Sequence, residues 1–191
     1  MCATPEVLIL NGSPRENGNT AVLAGRVAAG AREAGAHVHS VSLHSLDIRP
    51  CDACDTCREQ RNGCIVEDDM QPLYPELVAA DAILLASPVY WFTYSAQLKV
   101  CIDRWYGLWN SDPNVFKGKR FGILLPYGDV DLYTSGGINA IHTYETMVRF
   151  LQAEIVGMVY GSLNDVGDAE RHPELMERAY RLGKALVLGK A

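Results

Sequence analysis

The chain has 191 residues, of which 48% are apolar and 21% charged, and its formal net charge is -6 at pH 7. This composition is ordinary for a globular protein with a substantial core, and the negative charge without any basic run argues against a nucleic-acid surface. No stretch approaches the ~18 apolar residues that span a membrane, and the first twenty residues lack a secretory signal pattern. The sequence therefore predicts a cytoplasmic protein that binds neither nucleic acid nor membranes.

Five short segments favour β-strands. Residues 38–43 are partly polar and predict an edge strand. The other four are continuous apolar runs, as expected of strands that are buried on both faces of a parallel sheet. These runs are 7–10, 82–86, 121–125 and 155–160.

Helical segments lie between the predicted strands. The first spans about residues 20–34, and Gly35 is a suitable C-terminal cap. Asp69 and Pro72 favour the start of a second helix, which runs to about residue 80. The remaining predicted helices are 95–105, 137–151 and a last one that begins near residue 173.

Strands that alternate with helices indicate right-handed βαβ units and a doubly wound α/β sheet. Five such units match the flavodoxin-like three-layer sandwich, with the parallel strand order 2-1-3-4-5 and a ligand at the carboxyl ends of strands 1 and 3. We expect one domain over residues 1–191, with a cysteine-rich insertion at about 51–70.

The loop between the first strand and the first helix suits a phosphate. It reads Asn-Gly-Ser-Pro-Arg-Glu-Asn-Gly-Asn-Thr over residues 11–20, and a helix N-terminus adds free N–H groups and the favourable end of its dipole. The alternative is a polar loop in which Asn19 or Thr20 only caps the helix. Because the loop has neither the Walker ending nor the dinucleotide Gly-x-Gly-x-x-Gly pattern, a mononucleotide fits best.

Two further loops follow the third and fourth strands and so lie at the same edge of the sheet. After the third strand the chain reads Ser-Pro-Val-Tyr-Trp-Phe-Thr-Tyr over residues 87–94. Aromatic rings there can lie beside a planar ligand, although plain apolar cover over the sheet is the alternative. After the fourth strand come Pro-Tyr-Gly-Asp at 126–129 and Ser-Gly-Gly at 135–137.

These motifs together resemble the NADPH-dependent FMN reductase family. The matching stretches are Gly-Ser-Pro-Arg-x-x-Gly-Asn-Thr at 12–20, Ser-Pro-Val-Tyr-Trp at 87–91, Ala-Gln-Leu-Lys at 96–99, Asp-Arg at 103–104 and the two motifs after the fourth strand. The resemblance covers nearly the whole chain, in order. It implies a flavodoxin-like fold, FMN bound without a covalent link, and NAD(P)H as co-substrate.

The resemblance also implies roles for single residues. The FMN phosphate would be held by Ser13, Arg15, Asn19 and Thr20. The isoalloxazine ring would be bordered by Pro88, Val89, Tyr90 and Trp91 on one side, and on the other by Tyr127, Gly128 and Asp129. We interpret Lys99, Asp103 and Arg104 as structural residues that orient their helix. No side chain is expected to act as an acid or base, because the flavin carries out the chemistry.

Four of the six cysteines fall within fourteen residues, as Cys51-x2-Cys54-x2-Cys57-x6-Cys64. Four thiolates are the usual ligands of a [4Fe–4S] cluster, and the spacing resembles that of the iron–sulfur flavoproteins, a branch of the same family. The resemblance implies a cluster on these four cysteines, while a four-thiolate zinc site and free, redox-active thiols stay open. Cys2 is expected to be inert and Cys101 to be a small buried residue of its helix.

The motifs lead us to expect an FMN-dependent oxidoreductase. Electrons would pass from NAD(P)H or a ferredoxin-like donor to a small acceptor such as a quinone or a biosynthetic intermediate. One alternative is a flavodoxin-type electron carrier, although flavodoxins resemble Ser/Thr-x-Thr-Gly-x-Thr in the phosphate loop and this chain does not. The other alternative is a thiol or metal redox sensor.

The family resemblance implies a homodimer or homotetramer. A candidate interface is the aromatic cluster of Trp105, Tyr106 and Trp109 with the following loop, 110–114. Core packing and the wall of a substrate pocket are the alternatives for the same three rings.

Overall fold

The computed structural model describes residues 4–189 and has its strands and helices in alternation. The strands are β1 (Glu6–Asn11), β2 (His37–Ser42), β3 (Ala82–Ala86), β4 (Val89–Tyr90), β5 (Thr93–Tyr94), β6 (Arg120–Tyr127) and β7 (Glu154–Ser162). Five of them form a parallel sheet in the order β2-β1-β3-β6-β7. The five predicted strands and their order are confirmed, and β2 is an edge strand as expected.

The helices lie on both faces of this sheet. They are α1 (Asn19–Glu33), α2 (Thr56–Gln60), α3 (Met70–Ala79), α4 (Ala96–Ser111), α5 (Gly137–Phe150), α6 (Asp168–Arg171) and α7 (Pro173–Leu188). The short α2 and α6 were not predicted, and the prediction ended α4 at residue 105. That end was wrong because the apolar spacing continues through Leu108, and the chain first meets a proline at Pro113.

Two apolar layers hold the sheet between the helices. On one face, α1 and α7 cover alternate residues of the central strands, such as Ile9 and Leu84. On the other face, α3, α4 and α5 cover their neighbours, such as Leu10 and Ile83. All five residues of β3 are buried, which explains why its sequence is a continuous apolar run rather than an alternating one.

The small hairpin of β4 and β5 is the main feature that the sequence did not predict. It follows β3 directly and stands beside the start of α5, where a Cβ at Gly137 would lie 3.3 Å from Val89. The hairpin therefore turns the loop after β3 into a wall at the carboxyl end of the sheet.

Two remaining predictions concern cysteines. Cys101 lies on α4 with no exposed surface, as predicted, and burial raises the pKa of its thiol to about 12. Cys2 lies outside the described residues. Within residues 4–189, no helix combines the length and the apolar character that crossing a membrane would require.

Candidate functional site

Hydrogen bonds fix the loop that follows β1. The Gly12 N–H donates to the Ala86 carbonyl at 2.8 Å, and the Ser95 hydroxyl donates to the Gly12 carbonyl at 2.7 Å. A side chain at position 12 would not fit, because a Cβ there would lie 2.6 Å from Ser95 Oγ. Glycine thus lets the loop pack closely against the start of α4, and this packing sets the path of the chain into α1.

The N-terminus of α1 is available to an anion. Its N-cap is Gly18, and no side chain of the described residues caps it, so backbone N–H groups of the first turn have no partner within the helix. Ser13 and Thr20 are buried beside this end, and Arg15 is exposed in front of it. Free backbone donors, two hydroxyls, a guanidinium and the positive end of the helix dipole together fit a phosphate group.

Asn19 has a different contact from the one that the resemblance implies. Its side-chain amide donates to the Asp165 carbonyl at 2.9 Å, and its amide oxygen accepts a bond from the Ala169 N–H at 3.1 Å. The side chain thereby ties the first residue of α1 to the segment after β7. Asn19 still borders the space in front of α1.

That space is a cavity of about 210 Å³ at the carboxyl ends of the central strands. Nine of the residues proposed from the family resemblance line it, namely Ser13, Arg15, Asn19, Thr20, Pro88, Val89, Tyr90, Tyr127 and Gly128. The three loops that follow β1, β3 and β6 therefore meet where the sequence places them. This is the position at which doubly wound sheets bind their ligands.

Two of the proposed residues do not line the cavity. Trp91 is at the tip of the β4–β5 hairpin and is 91% exposed. Asp129 is exposed as well; its carboxylate accepts a bond from the Val130 N–H at 2.7 Å, and its carbonyl accepts one from the Ser162 hydroxyl. Both residues flank the cavity wall without contributing to its lining.

Four further residues line the cavity, namely Gly18, Pro126, Leu163 and Asn164. Gly18 and Pro126 lie within the motifs quoted above but had no predicted role, whereas Leu163 and Asn164 were missed. Leu163 and Asn164 come directly after β7, and the Leu163 N–H donates to the Tyr127 carbonyl at 2.7 Å. They could have been found from the rule that ligands lie beyond the carboxyl ends of parallel strands.

The cavity volume fits part of a mononucleotide. Sites that enclose a drug-sized ligand measure roughly 300–1,000 Å³, which exceeds the volume found here. The lining also includes aromatic and apolar residues such as Tyr90 and Val89, which suit a planar ring.

The four cysteines at 51–64, called the cysteine segment below, line a second cavity of about 190 Å³ together with Ile65, Val66 and Tyr106. Cys51 and Cys54 are exposed, whereas Cys57 and Cys64 are half-buried. Cys64 packs on α4, where a Cβ at Gly107 would lie 3.0 Å from Cys64 Cβ. The thiols therefore gather around one space beside the second half of α4.

The thiols are close enough to affect one another. Burial raises the pKa of Cys57, and the neighbouring thiolates of Cys64, Cys54 and Cys51 raise it further. Between residues 4 and 189, however, no three cysteine, histidine or acidic side chains take an arrangement that could hold a single metal ion. Four thiolates around a shared space fit an iron–sulfur cluster by the chemistry of the donor set.

Arg104 holds both ends of the cysteine segment. Its guanidinium donates to the Arg49 carbonyl at 2.9 Å, to the Val66 carbonyl at 3.2 Å and to the Asp68 carboxylate at 2.5 Å. The Arg104 and Asp68 side chains are 1% and 2% exposed. The sequence analysis interpreted Arg104 as a structural residue of its helix, and the structure shows that it also closes the loop that carries all four cysteines.

A protein-family model for the NADPH-dependent FMN reductase family matches residues 5–165. An iron–sulfur flavoprotein of Archaeoglobus fulgidus is 34% identical over 180 residues, which cover 92% of this chain and 76% of that protein. An iron–sulfur flavoprotein of Methanosarcina thermophila is 39% identical over 95 residues, covering 50% of this chain and 49% of that protein. The chain thus spans about half the length of several curated relatives that it matches.

A solved structure gives the same picture of the fold. The Trp repressor binding protein from Bacillus subtilis superimposes with a TM-score of 0.70 and 25% sequence identity, over 93% of this chain and 99% of that one. The family model extends over all three loops that line the cavity and over the cysteine segment. On these grounds the chain belongs to the NADPH-dependent FMN reductase family.

Proposed function

We propose that the protein is an FMN-dependent oxidoreductase that passes electrons from NAD(P)H to a small acceptor such as a quinone. The observation that carries the proposal is the cavity in front of α1, where an uncapped helix N-terminus and Arg15 meet the loops after β3 and β6. Membership of the family supports FMN as the ligand and NAD(P)H as the donor. Overall, NAD(P)H, a proton and the acceptor give NAD(P)⁺ and the acceptor reduced by two electrons and two protons.

In this proposal the protein binds and orients while FMN supplies the transfer of hydride and electrons. Ser13, Thr20 and the first backbone N–H groups of α1 hold the phosphate, and Arg15 adds a positive charge beside it. Pro88, Val89 and Tyr90 form one wall beside the ring, and Tyr127 and Gly128 form the other, with Trp91 and Asp129 at the flanks. Asn19 keeps the segment after β7 against the cavity.

We further propose that Cys51, Cys54, Cys57 and Cys64 carry a [4Fe–4S] cluster. Four thiols around one cavity support this, as do the names of the archaeal relatives. Such a cluster exchanges single electrons, so it would suit a ferredoxin-like donor or partner. The bonds from Arg104 to the Arg49 and Val66 carbonyls would keep both ends of the segment in place while its four thiols close on the cluster.

We also propose that the chain assembles as a homodimer or homotetramer. Trp105 itself is buried and stacks on Phe116, with ring centroids 4.9 Å apart. It also lines a groove between α4 and α5, together with the more exposed Tyr106, Trp109 and Phe150. Phe150 is 62% exposed, and a subunit contact would cover this groove.

The experiment that tests the function starts from protein purified without oxygen and supplied with FMN. We expect bound flavin, oxidation of NAD(P)H that depends on an added quinone, and about four iron and four sulfide per chain. Cys64→Ser should lose iron and sulfide but keep FMN, whereas the control Cys101→Ala should keep iron, sulfide and FMN. Flavin without iron in the wild-type protein would refute the cluster alone, and failure to bind FMN would refute the proposed function.

A further inference from the structure

Cys64 is fixed more firmly than the exposed thiols of the cysteine segment. Its backbone lies against α4, where a Cβ at Gly107 would be 3.1 Å from the Cys64 nitrogen. Cys51 and Cys54, in contrast, are exposed, and the Cys54 N–H donates within the segment over 3.3 Å to the Asp52 carboxylate. The thiols therefore differ in how well the fold defines their positions.

A second contact to the backbone of Cys64 comes from Gln71, the second residue of α3. The side-chain nitrogen of Gln71 donates to the Cys64 carbonyl and to the Val66 carbonyl, each at 2.8 Å, so both hydrogens of the amide are used. The first turn of α3 is itself fixed, because Met70 is fully buried and its N–H donates to the Asp68 carboxylate at 3.0 Å. Gln71 thus ties the Cys64 backbone to a packed helix.

The same two bonds direct carbonyl groups away from the space between the thiols. Val66 lines that cavity with the four cysteines, whereas Gln71 is not part of its lining. Carbonyls that accept from Gln71 therefore point out of the cavity. A cluster with four thiolate ligands carries a net negative charge, which the oxygen end of a carbonyl dipole would repel. The arrangement suits an anionic group in the cavity.

We propose that Gln71 is a positioning residue for the cluster, which sets the place of the Cys64 ligand and keeps the Cys64 and Val66 carbonyls directed away from the bound anion. The inference rests on the proposed function, because it concerns the cluster proposed for the four cysteines. Removing a group that holds a metal ligand from behind typically weakens metal binding 10–100-fold. Gln71 acts in this way through the backbone of Cys64.

The variant Gln71→Met removes both donors and keeps a side chain of similar length. Arg104 also donates to the Val66 carbonyl, at 3.2 Å, so the end of the segment at Val66 stays held in this variant. Within residues 4–189, no other donor bonds the Cys64 carbonyl. Gln71→Met therefore tests the position of the Cys64 ligand rather than the closure of the loop.

Two readouts use protein purified without oxygen that contains its FMN and iron, and neither needs turnover. The rate at which iron passes to the chelator bathophenanthroline disulfonate should rise about tenfold in Gln71→Met. The reduction potential, from a redox titration followed by EPR of the reduced cluster, should become more negative, because a carbonyl that turns toward the cavity opposes the added electron. Gln60, exposed at the end of α2, gives the control Gln60→Met, which should change neither.

A lysine can replace the amide as a donor to two carbonyls. Lys119 already does so elsewhere in the chain, where its ammonium group donates to the carbonyls of Val78 and Ala80, which are two residues apart. Gln71→Lys should therefore restore the slow release of iron. Its positive charge should also keep the reduction potential at least as high as that of the wild type.

Several results would overturn the role of Gln71. Wild-type iron release and an unchanged potential in Gln71→Met would do so, as would fast release from both Gln71→Met and Gln71→Lys with unchanged potentials, because the amide would then only pack the loop. If Gln71→Met holds no iron, recovery of iron in Gln71→Lys supports the inference, and absence of iron from both overturns it. Wild-type protein without iron would instead overturn the proposed cluster and this inference with it.

Discussion

The two candidate sites of this chain are built in different ways. The cavity in front of α1 lies on the ends of strands and a helix, and its loops are fixed by buried contacts such as that between Ser95 and Gly12. The cysteine segment has only the short α2 and three non-glycine residues with positive φ, Ala53, Asp55 and Arg61. One site is therefore part of the sheet scaffold, and the other is an irregular loop attached to it.

This difference predicts how each ligand would bind. Backbone donors at a packed helix N-terminus need no rearrangement to receive a phosphate. Thiols on an irregular segment must be drawn together, so binding of a metal or cluster is coupled to ordering of the loop. Arg104 reduces how much of the loop has to become ordered, because it fixes the residues before and after the thiols.

The largest effect is expected from Arg104→Met. The change leaves the Asp68 carboxylate buried without its cation, at 2% exposure, and removes the donors to two backbone carbonyls. Breaking a buried pair from one side costs about 3–5 kcal/mol of the free energy of unfolding, measured by urea denaturation. Iron and sulfide per chain should fall as well, because the ends of the cysteine segment are no longer held.

A matched control comes from the same helix. Lys99 and Asp103 form an ion pair one turn apart with side chains that are 52% and 44% exposed, and Lys99→Met should cost only about 0.3–0.5 kcal/mol. If Arg104→Met cost no more than Lys99→Met, the buried pair would not be what holds the cysteine segment.

Lowering the pH should reduce the stability by a smaller amount, because acid neutralises the Asp68 carboxylate while Arg104 stays in place. Burial alone would raise the pKa of Asp68, yet hydrogen bonds from Arg104 and from the N–H groups of Arg49 and Met70 outweigh it and lower the pKa. The unfolded state then binds the proton more readily, so this stabilisation is present at neutral pH and is lost as the pH falls through the folded-state pKa.

The measurement is the urea midpoint at a series of pH values from about 7 to about 3. Asp68→Asn should be less stable than the wild type at neutral pH and should lose less of its remaining stability in acid. Parallel curves for the two proteins would show that Asp68 does not contribute to the acid sensitivity.

The sequence predicted the five-stranded sheet well and the shortest secondary-structure elements poorly. Strands buried on both faces need continuous apolar runs, and β3 shows why such a run is recognisable. The β4–β5 hairpin was missed because each strand has two residues and its turn carries Trp91 and Phe92 instead of Asn-Gly. Similarly, α2 has five residues and begins after Asp55 in a left-handed conformation, which no local pattern predicts.

For the sites, local motifs predicted lining residues but not long-range contacts. Glycines and a helix N-terminus identify the loop around Ser13 and Arg15 from neighbouring residues alone. The bonds from Arg104 to Arg49 and Asp68 join residues 55 and 36 positions apart. Such pairs depend on how the helices pack, so a charged residue on α4 could be recognised as structural, but its partners could not be named.

The smallest effect distinguishes direct from indirect contacts at the phosphate. In Asn19→Ala the bonds to Asp165 and Ala169 are lost, which should cost about 1 kcal/mol of stability. FMN binding should weaken only about threefold, roughly 0.6 kcal/mol, and by the same factor at all salt concentrations.

In Arg15→Met the lost charge should weaken FMN binding about tenfold at low salt. This loss should shrink toward 1 M salt, where the Debye length is about 3 Å. Fluorescence titration of FMN at several salt concentrations measures both. A loss in Asn19→Ala as large as that in Arg15→Met would mean that the Asn19 amide leaves Asp165 to bind the phosphate. The cavity would then rearrange on binding, as we expect only of the cysteine segment.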